Sequence, residues 1–227
     1  MISSESIMEI KPIAHIFTPF KEKFGIPRQC GKVATEGRIV FEKEYRNPDA
    51  IRGIEGFSHL WLVFDFSKAH RKDFCPTVRP PRLGGNEKAG VFATRSPFRP
   101  NSLGLSCVKL VKVEDTENGK VLVVEGADLL DGTPIYDIKP YLKSDCIPDA
   151  ICGFADECSG HVLKVENIGI LKDLPDCEKQ NIVDCIAQDP RPSYQNDGRI
   201  YGMIYGNHNI KFTVSNGVAT LADCVEI

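Results

Sequence analysis

Two arginines held in one proline-bearing loop, Arg95 and Arg99, are the residues of this chain best placed to do chemistry. They lie in GVFATRSPFRPNSLGLS, residues 90–106. Pro97 and Pro100 fix their own φ at about −65° and bias Ser96 and Arg99 toward extended backbone. Asn101 tolerates a left-handed turn, and Gly104 lets a backbone or a ligand come close. A stiff loop presenting guanidinium forks suits recognition of phosphate or carboxylate. The alternative is that both arginines pair with structural carboxylates beneath a hairpin. Pro190-Arg191-Pro192 repeats the device. Arg191 would either face the same anion, with Tyr194 stacking on a base, or cap the C-terminal end of the preceding helix. A third segment, residues 25–31, sets Arg28 and Gln29 between Pro and Gly. It would offer backbone groups to a small ligand or merely turn a corner.

Several functional classes lose support at once. No GxGxxG, GxxxxGK[ST] or GxSxG motif is present, so a nucleotide-like cofactor would sit on a β scaffold rather than in a Rossmann or P-loop site. The 28 Lys+Arg against 31 Asp+Glu give a net charge of −3, which suggests no polyanion partner for the chain as a whole. The distribution is uneven: residues 71–101 carry seven basic side chains against two acidic ones. That excess makes either a basic face for nucleic acid or a solvated loop. Nine cysteines without a CxxC pair fit reduced thiols better than a disulfide framework. Cys146, Cys152 and Cys158, with His161 following, match no common zinc spacing, and no metal is expected. No apolar run reaches the ~20 residues of a membrane span, and the N-terminal residues lack a signal-peptide pattern. The expected location is the cytoplasm.

The elements that must position these residues are short strands. Residues 10–17 read as a strand, 34–45 as a second strand or hairpin, and Asn47-Pro48-Asp49 as the cap of a helical turn over 50–53. Residues 57–66 (FSHLWLVFDF) are long and aromatic enough for a central strand, with His59 as a core histidine and Asp65 interrupting near its end. Ser67 and Lys68 follow where a cleft can open. Val91, Phe92 and Ala93 read as the end of a buried strand and 103–113 as the start of another. Residues 108–113 and 121–125 flank a polar turn, and 133–142 form the last strand of this half. Many short strands with almost no helical period predict an all-β barrel or sandwich. Residues 144–160 read as a link. Beyond them come a strand over 162–167 and an amphipathic helix over 176–188, with Cys177, Ile182, Cys185 and Ile186 on one face. Hairpins over 200–204, 210–214 and 219–225 complete a small α+β appendage.

Five segments together resemble one family. They are residues 90–106, PTVRPPRLGGN (76–86), FSHLW (57–61), DGTPIYDIKPYL (131–142) and DPRPSY (189–194). In this order they resemble the TrmO (YaeB-like) family of tRNA N6-threonylcarbamoyladenosine methyltransferases, over essentially the whole chain. The resemblance implies an N-terminal β-barrel methyltransferase domain over 1–145, a linker over 146–161 and a small α+β domain over 162–227 that contributes to the tRNA site. It implies S-adenosyl-L-methionine as cofactor, a tRNA anticodon loop carrying threonylcarbamoyladenosine at position 37 as partner, a homodimer, and no membrane. By motif, Arg28, Gln29, Cys30, Gly31, Lys32, Ser67, Lys68, Arg95, Leu105, Gly126, Ala127 and Asp128 would bind the cofactor. Arg82, Arg99 and Asn101 would bind the acceptor, and Asp189, Arg191 and Tyr194 would serve catalysis. Ser102, Cys30 and Leu105 depart from the common family residues, and the C-terminal part looks shorter than in longer members. A non-catalytic S-adenosylmethionine- or RNA-binding module, or a methyltransferase with another acceptor, are the competing readings.

Overall fold

In the computed structural model of the chain, described here over residues 9–80, 87–157, 162–191 and 198–227, the N-terminal half is built on six antiparallel strands whose pairing returns to its start. These are β1 (Ala14–Phe17), β2 (Glu36–Phe41), β3 (His59–Asp65), β6 (Leu103–Thr116), β7 (Gly119–Glu125) and β8 (Thr133–Pro140). Two further strands, β4 (Thr77–Val78) and β5 (Ala89–Gly90), pair only with each other. The six run in the order β1-β2-β7-β6-β3-β8, and β8 pairs back onto β1 through Ala14 with Ile135 and Ile16 with Thr133.

Period-two alternation sets the core. Leu60, Leu62 and Phe64 on β3, Ile16 on β1 and Ile39 on β2 meet Leu122 and Val124 of β7 inside the ring. On β7 the alternation gives way to four consecutive buried residues, Val121 to Val124, so both faces of that strand are covered. Gly37 lies within β2 rather than at a bend. A Cβ there would stand 3.0 Å from Ile16 Cδ1, so glycine lets β1 pack closely.

The C-terminal part has its own core. Here β9 (Lys164–Glu166) pairs in parallel with β12 (Val218–Glu226), which continues antiparallel through β11 (His208–Ser215) to β10 (Ile200–Tyr205). Between the two parts lies a short helix, α1 (Phe154–Glu157), and the longer α2 (Asp176–Ala187) packs on the four-stranded sheet. Ile182, Cys185 and Ile186 of α2 are buried as the period predicts, but Cys177 is exposed. It sits on the first turn, before the apolar stripe reaches the sheet. Phe20 and Val33 belong to this second core, with Phe24 and Ile26 packed against it. The connection from β1 to β2 therefore crosses from one core to the other. Gly25 marks the closest approach: its φ is +92°, and a Cβ would lie 2.4 Å from Met203.

Candidate active site

A cleft of about 710 Å³ opens beside β3 and β6 and is floored by their outward residues. Trp61, Val63 and Asp65 share one face of β3, and their register partners on β6 are Cys107, Leu105 and Leu103. All of these except Cys107 line the cleft. Leu105 is 56% exposed, an apolar surface left uncovered in the floor. Trp61 is held by its indole N–H, which donates to Asp145 Oδ2 at 2.8 Å. Asp65, buried at the end of the aromatic run, has its Oδ1 2.7 Å from Nε2 of the exposed His70.

The loop between β5 and β6 forms one wall. The expected buried strand end at Val91–Ala93 is instead a 3-10 turn in which only Val91 is buried. The strand pairing stops at Gly90, and Arg99 takes hold of the turn beyond it. The Arg99 Nη1 donates to the carbonyls of Val91 (3.1 Å) and Thr94 (2.8 Å). Arg99 thus fixes the loop, whereas Arg95 makes no hydrogen bond or ion pair with any described residue and projects from the same wall. Of the two anion-binding candidates in the loop, Arg95 is the one left to act.

The opposite wall comes from the connection leading to β2 and from the turn after β7. Gly31 N–H donates to the Gly126 carbonyl at 2.8 Å, and Cys107 N–H points to Cys30 Sγ at 3.4 Å. Gly126 has φ +87°, and a Cβ on it would lie 3.1 Å from Gly31 Cα, so glycine at 126 is what lets the two segments come this close. The contact sets Asp128 at the cleft, where Ser106 Oγ donates to its carboxylate. Burial pushes the Asp128 carboxyl above the usual range. The Ser106 hydroxyl, the Cys30 backbone N–H and the nearby Arg95 charge oppose that shift. Lys23 closes the rim through a 2.7 Å bond from Nζ to the Lys68 carbonyl.

Arg28 carries the cleft toward the C-terminal part. Its Nη2 donates to the carbonyls of Asp189 (3.0 Å) and Arg191 (2.8 Å). Arg191 in turn forms a two-pronged pair with Asp189, Nε to Oδ1 at 2.8 Å and Nη2 to Oδ2 at 3.0 Å, which raises its pKa further. Asp189 adopts φ +49°, a turn that folds its carboxylate back onto Arg191.

The matches to known proteins agree with this architecture. Residues 15–146 match the tRNA-methyltransferase O N-terminal domain, and residues 164–227 match the TrmO C-terminal domain. The chain belongs to the TrmO family. It is 40% identical over 223 residues to the tRNA (adenine(37)-N6)-methyltransferase of Escherichia coli K12, covering 93% of this chain and 95% of that one. It is 42% identical over 207 residues to a putative S-adenosylmethionine-dependent methyltransferase of Pseudomonas aeruginosa PAO1, covering 86% and 87%. The crystal structure of TrmO from P. aeruginosa superposes with a TM-score of 0.78 at 31% identity, over 99% of this chain and 100% of that one.

Within this TrmO-family chain, Arg28, Ser67, Lys68, Arg95, Arg99, Leu105 and Asp128 come together around one cleft. Cys30, Gly31 and Gly126 stand behind them and hold the wall, with Ala127 buried beside Asp128. Gln29, Lys32 and Asn101 do not line it, and Asp189 and Arg191 reach it only through Arg28. Arg82 and Tyr194 fall outside the described residues. Sequence reasoning passed over Lys23, Trp61, Ser106 and the Asp65–His70 pair as site residues. Their roles depend on which strand lies beside which, and only Asp65, a carboxylate in an apolar run, left a local sign.

Proposed function

We propose that this chain transfers the methyl group of S-adenosyl-L-methionine to N6 of threonylcarbamoyladenosine at position 37 of a tRNA. The observation that carries the reading is one cleft in a TrmO-family chain, bounded by Arg95, the partly buried Asp128 and the exposed Leu105. Arg95 makes no hydrogen bond or ion pair with any described residue, and its charge acts on the nearby Asp128. A cleft of about 710 Å³ lies within the range of roughly 300–1,000 Å³ typical of cofactor sites. The donor set suits the cofactor: a cation for its carboxylate, an anion for its amine or ribose diol, and an apolar surface for its adenine. When bound, the cofactor supplies an electrophilic methyl on a sulfonium.

Each residue then has a chemical task. Arg95 pairs with the carboxylate, Asp128 accepts from the amine or ribose, and Leu105 packs on the base. Arg28, Ser67 and Lys68 complete the rim, with the backbone of residues 29–32 behind it. The acceptor nitrogen bears a carbamoyl group that delocalises its lone pair, so orientation for in-line attack supplies much of the acceleration. As the N–C bond formed, the sulfonium S–CH3 bond would break to leave a thioether, and the N6 proton would pass to a base on the acceptor side. Arg191 is assigned to the acceptor side, where it would meet the threonyl carboxylate. Asp189, already bound to Arg191 through both oxygens, orients that guanidinium. Arg82, Asn101 and Tyr194 complete the acceptor side of the proposal.

At larger scale we assign residues 1–145 as a β-barrel methyltransferase domain, 146–161 as a linker and 162–227 as the domain contributing to tRNA contact. The cyclic strand pairing and the separate second core support this division. The family resemblance supports a homodimer working in the cytoplasm. No helix among the described residues is long and apolar enough to cross a membrane.

The test is methyl transfer from labelled S-adenosylmethionine to two tRNA preparations, one bearing threonylcarbamoyladenosine and one lacking it. Product with the modified tRNA alone is expected. Equal turnover on both would move the activity to another acceptor. Cofactor binding with no product on either would leave a binding module.

A further inference from the structure

Next to the cleft the molecule exposes two phenylalanines that a stable fold has no use for. Phe74 is 56% and Phe92 71% exposed. Their rings nevertheless stack on one another, with centroids 6.3 Å apart and planes inclined by 24°. Burying a phenylalanine side chain contributes about 1.5–3 kcal/mol, so leaving two adjacent ones in water forgoes a sizeable gain.

The pair is held in place from several sides. Strands β4 and β5 pair Thr77 with Gly90, and Val91 N–H donates to the Pro76 carbonyl at 2.9 Å, which brings the two segments together. Arg99 pins the turn carrying Phe92 and lies over its ring at 5.6 Å. On the neighbouring segment Arg71 covers the Phe98 ring at 3.5 Å. The same loop lines the cleft through Thr94, Arg95, Pro97 and Arg99, so Phe92 stands two residues along the chain from the cleft wall.

The surroundings select the partner. Described residues between 71 and 101 include six basic side chains (Arg71, Lys72, Arg79, Lys88, Arg95, Arg99) and two acidic ones, Asp73 and Glu87. A second copy meeting this face through a two-fold axis would bring like charges together. Flat exposed rings among cations suit unpaired nucleotides, whose bases stack and whose phosphates are anionic. Resting on the tRNA-directed function proposed above, we infer that Phe74 and Phe92 form a stacking platform for unpaired bases flanking the nucleotide in the cleft.

The full-length protein carrying Phe74→Ala with Phe92→Ala, and Phe92→Leu and Phe92→Trp singly, tests this. The readouts are affinity for an anticodon stem-loop RNA by fluorescence anisotropy, KM for tRNA, affinity for S-adenosylmethionine, and sedimentation. The double variant is expected to bind RNA about 5- to 150-fold more weakly, as losing one base–aromatic stack of about 1–3 kcal/mol implies. Its cofactor affinity and sedimentation should match the wild type. Phe92→Leu, which keeps apolar area but removes the ring, should weaken RNA binding, while Phe92→Trp should preserve it. Unchanged RNA affinity in the double variant of an enzyme that methylates tRNA would overturn the platform alone. So would a changed sedimentation coefficient with intact RNA binding, which would make the pair an interface between copies. A wild-type protein that neither binds nor methylates RNA would instead remove the functional reading beneath it.

Discussion

Burial works against the charge on Asp128 while the Ser106 hydroxyl and the Cys30 N–H support it, and burial wins, so the folded pKa lies above the ordinary value. An acid shifted upward contributes stability only while protonated. That contribution is complete below the unfolded value, about 4, and is lost as pH rises through the folded one. At neutral pH the carboxylate is therefore a cost, retained for what it binds. Asp128→Asn keeps the acceptor for Ser106 and removes the charge. It should raise the melting midpoint at pH 7, with the gain vanishing toward pH 3. Its affinity for S-adenosylmethionine should fall about tenfold or more. Calorimetry across pH checks the first outcome and cofactor titration the second; a lower midpoint at pH 7 would mean the hydrogen bonds outweigh the burial. Arg95 separates the two effects differently. It is exposed and makes no hydrogen bond or ion pair with any described residue, so Arg95→Ala should leave the midpoint within about a degree. Cofactor affinity should nonetheless drop by roughly 10- to 100-fold, as expected when a charged hydrogen-bonded pair worth about 1.5–3 kcal/mol is lost. Arg95→Lys should recover only part, because lysine lacks the planar fork.

Strands were legible in the sequence wherever local periodicity decides structure. β3, β6 and β7 fall inside or close to the apolar runs, and the polar turn at Glu117-Asn118 follows from composition. Legibility failed where a distant side chain rewrites a segment. Val91 to Ala93 are apolar and look like a strand, yet Arg99 gathers the carbonyls of Val91 and Thr94 into a turn. The loop arginine expected to meet an anion was therefore part structural, and its neighbour was not; their spacing alone cannot tell them apart. Gly104 is a further case. Its permissiveness was apparent, but its use was not: the Phe64 ring lies across it, and a Cβ would stand 2.2 Å from Phe64 Cζ. Phe64 is buried and cannot swing away cheaply. Gly104→Ala should cost about 1–3 kcal/mol, read as a lower denaturation midpoint. Adding Phe64→Leu should return part of the loss, since the smaller side chain vacates that space. If the second change only deepened the loss, the clash would not be its source.

Across the whole molecule, the two cores are joined by more than the segment after β8. Phe20 and Val33 belong to the C-terminal core although they lie between β1 and β2, and Gly25 fits against Met203. The change of pattern after residue 160 marked two parts in the sequence. This crossing left no such trace, because apolar residues in a loop do not announce which core they enter. Arg28 sits on that crossing segment. It lines the cleft and also binds the carbonyls of Asp189 and Arg191, so it fixes the Asp189–Arg191 pair relative to the cofactor site. One guanidinium could thus contact the cofactor or align the acceptor side, and the two roles predict different kinetics. Alignment should dominate, because both bonds observed at Nη2 are spent on the C-terminal carbonyls. Arg28→Ala should then raise KM for tRNA about 5- to 30-fold, roughly the loss of two hydrogen bonds of about 0.5–1 kcal/mol each. Affinity for S-adenosylmethionine should change by less than about threefold, while the melting midpoint should fall by a few degrees, because the same two bonds hold the free protein together. Steady-state kinetics with each substrate varied in turn separates the cases. A large loss of cofactor affinity with KM for tRNA unchanged would assign Arg28 to the cofactor and leave the two parts to be aligned by the packed segment alone.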